Sequence, residues 1–145
     1  MSTLYDIDFA EWAFYNADLL RAGKVAEADL ENIAEEIESL GRTQGRELES
    51  RIMQIIGHLL KLNLTKGIMH DLNERLWRVS AAHQRVELRK LLRGSPSLRR
   101  NLTAETLSEC YADAAELFRA AFEIQPPAEC PFTWDDILAG SASSK

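Results

Sequence analysis

Apolar residues fall at helical spacing along almost the whole chain. Between positions 30 and 41, Leu30, Ile33, Ala34, Ile37 and Leu40 form one stripe, and Glu31, Glu35 and Glu38 align along its flank. The stripe predicts a core-facing helix that stops at Gly41. Ahead of it, Asp8 with Glu11 three residues on makes a start signal for a first helix carrying Phe9, Trp12, Ala13 and Leu20, which Gly23 ends. Behind it, Leu48, Ile52, Ile55, Ile56, Leu59 and Leu62 give a third helix its own stripe. With only Arg42 to Gly45 between them, the second and third helices are expected to form an antiparallel hairpin. That hairpin would set Glu35 level with Arg51.

Gly67 interrupts the pattern. In the fourth helix, Leu72, Leu76, Val79, His83, Val86 and Lys90 mark one face while Trp77, Leu88 and Leu92 populate another, so neighbours are expected on two sides. Ser95-Pro96 stops that helix and starts a short new turn. A fifth helix with Leu107, Cys110, Tyr111, Ala114, Phe118, Ala121 and Phe122 on one face reads as core, with Cys110 buried and unreactive. Pro126-Pro127 ends it, Thr133 and Asp136 cap a last short helix, and residues 140–145 are expected to fray. There is no strand alternation and no internal repeat. The predicted fold class is therefore all-α: one domain over 1–145, a helical bundle of four to five main helices with short extra helices near Ser95 and at the C-terminus.

A chain of 145 residues is long enough to bury about two thirds of its unfolded surface. No apolar run approaches the roughly 20 residues of a membrane helix. The N-terminus lacks the basic start and apolar core of a secretory signal, and Cys110 and Cys130 stand apart without a CxxC. A cytoplasmic protein with reduced, structural thiols is the expectation. The net charge of -6 disfavours non-specific binding to nucleic acid or anionic membrane, yet it is segregated. Asp6 to Glu49 holds twelve acids against four bases, Glu74 to Arg100 holds eight bases against two acids, and Glu105 to Asp136 holds eight acids against Arg119 alone. A basic helix lies between acidic ones.

Taken together, Tyr5-Asp6, Leu19-Leu20-Arg21-Ala22-Gly23, the run from Glu31 to Arg42, His58-Leu59-Leu60-Lys61, Gln84-Arg85, Ser95-Pro96-Ser97-Leu98 and Cys130-Pro131-Phe132-Thr133 resemble the bacterial family of domain of unknown function 29. The resemblance runs over almost the whole chain and in order. It implies an all-helical protein found mainly in cyanobacteria and proteobacteria, with no established activity and so no catalytic residues to carry over. After Lys61 the family often continues with an aromatic and glutamine-rich stretch, where this chain has Leu62-Asn63-Leu64-Thr65.

Carboxylates and histidines inside a helical bundle are how di-iron sites are built, through Glu-x-x-His on a helix. Three residues before His58, His70 and His83 stand Ile55, Gly67 and Ser80, so that motif is absent. Across the expected hairpin, Glu31, Glu35, Glu38, Arg51 and His58 make a candidate polar cluster, and a metal-dependent enzyme is one alternative reading. The plainer reading of these residues, and of His70 with Glu74 and His83 with Glu87, is surface pairs worth at most ~0.5 kcal/mol each and satisfied, packed histidines. No G-x-S-x-G and no Cys–His pair in sequence suggests a nucleophile, and no cofactor or metal is assigned. On the fourth helix Arg78, Arg85, Arg89 and Arg93 form a stripe about 22 Å long at 1.5 Å per residue. Such a stripe can follow a phosphate backbone, which gives a nucleic-acid-associated protein as a second alternative. Acidic flanks and a single nearby aromatic, Trp77, favour neutralisation within the molecule or docking of an acidic partner. The function expected from sequence is thus non-enzymatic, a protein-protein interaction module for a protein partner or for a homo-oligomer.

Overall fold

The structure is a computed structural model and describes residues 3–139. It contains α1 (Leu4–Ile7), α2 (Phe9–Arg21), α3 (Leu30–Leu64), α4 (Gly67–Gly94), α5 (Ala104–Phe122) and α6 (Trp134–Leu138), with 3-10 turns at Val25–Glu27 and Pro96–Asn101. The fold is all-α, with no strand among the described residues. The expected fraying of 140–145 lies outside the described residues. The chain divides into two compact units, the first ending at Thr43 and the second beginning at Gln44.

The expected hairpin between a second and a third helix is replaced by one unbroken helix of 35 residues, α3. Nothing in the segment is a strong helix breaker, and Leu48 begins a buried stripe immediately after it. Gly41 and Gly45 keep right-handed backbone, the left-handed glycines among the described residues being Gly23 and Gly67. Each mid-helix glycine costs only about 1 kcal/mol relative to alanine, too little to end a helix packed downstream. Side chains also bridge the segment: Arg42 Nη2 lies 2.9 Å from Glu35 Oε2, and Thr43 Oγ1 donates to the Ser39 carbonyl at 2.9 Å.

In the first unit α2 buries Trp12, Asn16 and Leu19. Asn16 fixes the entry to α3, donating to the Trp12 carbonyl at 2.9 Å and accepting from the Asp29 N–H at 2.7 Å. Asp29 in turn accepts from Trp12 Nε1 at 2.9 Å and from Asn32 Nδ2 at 2.8 Å. Those bonds, Asn32 first, hold its carboxyl below the ordinary range. The Tyr5 hydroxyl donates to Glu36, which pushes its pKa up to about 12. Asp8 caps α2 through the Glu11 N–H, as the sequence predicts. Leu30, Ile37 and Leu40, expected to face a core, are exposed.

The second unit holds the main core. A hairpin does form, one helix later than expected, where Thr65 and Lys66 turn α3 into α4 and Gly67 takes a φ of 74°. Its antiparallel register is read from Arg51 Nη1 donating to Gln84 Oε1 at 3.0 Å, Gln84 Nε2 to Gln54 Oε1 at 3.0 Å, and Ser95 Oγ to Gln44 Oε1. Leu48, Ile52, Ile55, Ile56 and Leu59 of α3 pack with Leu88 and Leu92 of α4 and with Cys110, Tyr111, Ala114 and Phe118 of α5. The predicted capping box is present at α6, where the Thr133 hydroxyl accepts from the Asp136 N–H and the Asp136 carboxylate from the Thr133 N–H, at 3.1 and 2.9 Å. Ile137 is fully buried.

A continuous α3 makes a clear prediction about its two internal glycines, whose added Cβ would meet nothing within 4 Å. Gly41→Ala and Gly45→Ala should each raise unfolding free energy by about 0.5 to 1 kcal/mol. A turn at this place would give loss instead, so the sign of the thermal-melting shift decides.

Candidate functional site

α3 carries every member of the candidate polar cluster and keeps most of them apart. Glu35 and Arg51 belong to one helix rather than to a hairpin, and in place of the expected pair Glu35 binds Arg42 and Arg51 binds Glu47. Glu31, Glu35 and Glu38 are exposed, Glu35 being bound to Arg42. Arg51 pairs instead with Glu47, four residues earlier at 3.3 Å, and with Gln84. His58 lies almost two turns beyond Arg51. Among the described residues no three His, Cys, Asp or Glu side chains gather as metal ligands would. The ligand set proposed for a metal enzyme therefore depended on a turn that the helix does not make.

The other two histidines separate as well. His70 braces the α3–α4 turn, its Nδ1 3.2 Å from Thr65 Oγ1 and its Nε2 3.6 Å from Glu74 Oε1. Arg78 also binds Glu74 and is the main cause of that carboxyl's lowered pKa. His83, expected to pack, is exposed together with the rest of its stripe.

Of the basic stripe, Arg78 is committed to Glu74 along the helix, and Arg93 is exposed. Arg85 and Arg89 are spent on main chain. Arg85 donates from Nε to the Ile137 carbonyl at 3.1 Å and from Nη2 to the Asp136 carbonyl at 2.8 Å; Arg89 Nη1 donates to the Leu138 carbonyl at 3.1 Å. These are the last carbonyls of α6, which a helix leaves without internal partners and which carry its negative dipole end. Two guanidiniums thus cap α6 from the side. Sequence spacing marked the stripe but could not reveal an acceptor some fifty residues away.

Two further features emerge only from packing. One is a groove of about 310 Å³ between α3 and α5, lined by apolar side chains including Met53, Leu117, Phe118 and Phe122, with His58 and Lys61 along its α3 wall. The Nδ1 atom of His58 is withdrawn from solvent and has no hydrogen-bond partner, and burial, with Lys61 nearby, lowers its pKa. Gly57, a helix-weakening residue on the same wall, was the one sequence signal for such a space. The other feature is the face of α4 opposite the core: Ile68, Leu72, Leu76, Val79 and Val86 are 77, 78, 61, 58 and 43% exposed. Cys110 is buried as expected, its thiol pushed up to about 11 chiefly by burial. Both Cys110 and Cys130 are free thiols.

Replacing Arg85 by Met removes two charge-assisted bonds and should destabilise the seat of α6 by about 1.5 to 3 kcal/mol. Hydrogen exchange at Ile137 to Ala139 should accelerate well before the α3 and α5 amides do. For His58 the sign follows from its lowered pKa. The unfolded imidazole protonates near 6.5 and the folded one only at lower pH, so its share of stability is complete above pH 6.5 and lost as pH falls through the folded value. His58→Leu should flatten the urea-midpoint profile on the acid side of pH 6.5.

No curated protein and no solved structure matches the chain. A family model does, over residues 4–141, and its description is Domain of unknown function DUF29.

Proposed function

We propose that this chain, which belongs to the DUF29 family, is a cytoplasmic protein-interaction module whose docking surface is the outer face of α4. The observation that carries the reading is the exposed apolar stripe Ile68, Leu72, Leu76, Val79 and Val86, at helical steps of four, four, three and seven. Contiguous exposed stripes of this size and period are what a partner helix covers. Arg75, Lys90 and Arg93 border the stripe at helical spacing, so the complementary surface is an acidic amphipathic helix of a protein partner. No helix among the described residues is long and apolar enough to cross a membrane. Two free thiols, one buried and one half-buried, suit a reducing compartment.

A nucleic-acid role draws on the same helix but is less well supported. The guanidiniums of Arg85 and Arg89 are occupied by the carbonyls of α6, which leaves a shorter basic edge than the sequence stripe offers.

Leu72→Asp with Leu76→Asp alters exposed positions only, so the fold and melting temperature should hold. With a photo-crosslinker at Val79, the parent chain should capture its partner through an acidic helix, and the double variant should lose at least about tenfold in affinity. Capture of a second copy would identify the partner as the chain itself. Crosslinking unaffected by the two aspartates would refute the assignment of this face.

A further inference from the structure

The start of α3 carries a second exposed apolar stripe, in the acidic part of the chain. Leu30, Ile37 and Leu40 are 50, 63 and 69% exposed, and Ala34 beside them is exposed as well. Glu31 and Glu38 each follow a stripe residue by one position, so both lie on one flank of it. Both are exposed, and neither has an ion-pair partner among the described residues. Residues 1–43 hold ten acids against three bases, whereas α4 holds six bases against three acids.

The outer face of α4 is the counterpart in both period and charge. Leu72, Val79 and Val86 recur every seven residues, as Leu30 and Ile37 do. Arg75 and Arg93, eighteen residues and so about five turns apart, share one flank of that face. Both are exposed and outside any ion pair among the described residues. Arg75 precedes Leu76, where the two glutamates follow Leu30 and Ile37, so bases and acids stand on opposite flanks of their stripes. Opposite flanks meet when two helices run parallel. The net charge of -6 makes two copies repel on average, but its segregation lets unlike surfaces meet. The chain itself thus carries the acidic amphipathic helix that the α4 face calls for.

We propose that the outer face of α4 takes the acidic start of α3 from a second copy of this chain, with Leu30 and Ile37 seated on Leu72, Val79 and Val86 and with Glu31 and Glu38 along the arginine flank. This rests on the α4 face proposed above and adds the surface that it binds.

Sedimentation velocity on the full chain over a concentration series tests the contact, and the parent chain should self-associate. Glu31→Arg with Glu38→Arg, and separately Arg75→Glu with Arg93→Glu, alter exposed positions. Each pair sets like charges against each other and should weaken self-association at least about tenfold. An equimolar mixture of the two variants should restore it, because the reversed glutamates then meet the reversed arginines. Ile37→Asp, at an exposed position inside the helix, should weaken it by a similar factor, and it carries the test if the arginines disturb the start of α3. A chain monomeric up to about 1 mM, self-association indifferent to either reversal, or a mixture of folded variants no stronger than the variants alone would overturn the inference. Each of those results leaves the α4 face to another protein, which the crosslinker at Val79 reads separately.

Discussion

The continuity of α3 is the constraint on which the rest of the chain depends. One helix carries both the segment that Asp29 and Asn32 start and the segment that Ile52 and Ile56 anchor, with its place in the main core beginning at Leu48. A turn at Gly41 would have broken that helix for the gain of a hairpin that forms anyway at Thr65. Once α3 is continuous, the hairpin that was to bring its carboxylates to its histidine is gone. The candidate chemistry of the first third of the chain disappears with the turn.

Charge follows the same logic of local satisfaction. The basic helix lies between acidic segments in sequence, yet two of its arginines, Arg85 and Arg89, bind carbonyl oxygens rather than carboxylates. Arg85 loses solvent in doing so, and its guanidinium is lowered from its ordinary value, burial being the main cause. Dipole ends of short helices are weak attractors singly, but three donated bonds to one helix terminus make a defined seat. The polar residues of the first unit behave alike: Asn16 and Asp29 have their partners within the unit, and Trp12 supplies one of them through its indole N–H.

Much of the architecture was legible in the sequence because caps and periods are local. Asp8 with Glu11, Thr133 with Asp136 and the stop at Ser95 appear as read, and α5 buries Cys110, Tyr111, Ala114 and Phe118 of its expected face, with Ala115 added and Ala121 exposed. The turn was misplaced because a glycine pair is a weak breaker, costing about 1 kcal/mol per residue relative to alanine, and the reading gave it the weight of a stop. Which face of α4 enters the core was not legible, since both faces carry apolar residues. Packing buried Trp77, Ala81, Leu88 and Leu92, of which Leu88 and Leu92 join the core of α3 and α5 and Trp77 meets Phe122 edge-on, and left Leu72, Leu76 and Val79 outside. The groove was invisible for a different reason, its walls being some sixty residues apart in sequence.

The seat of α6 has an evolutionary corollary. Arg85 and Arg89 hold carbonyl oxygens, and every amino acid supplies the same carbonyl, so exchange of the Leu138 side chain leaves the bond from Arg89 intact. Insertion or deletion of one residue between Phe132 and Leu138 would instead rotate those oxygens by about 100° around the helix axis and empty both guanidiniums. The length of the segment from Phe132 to Leu138 is therefore held more tightly than the side chains that only lend a carbonyl.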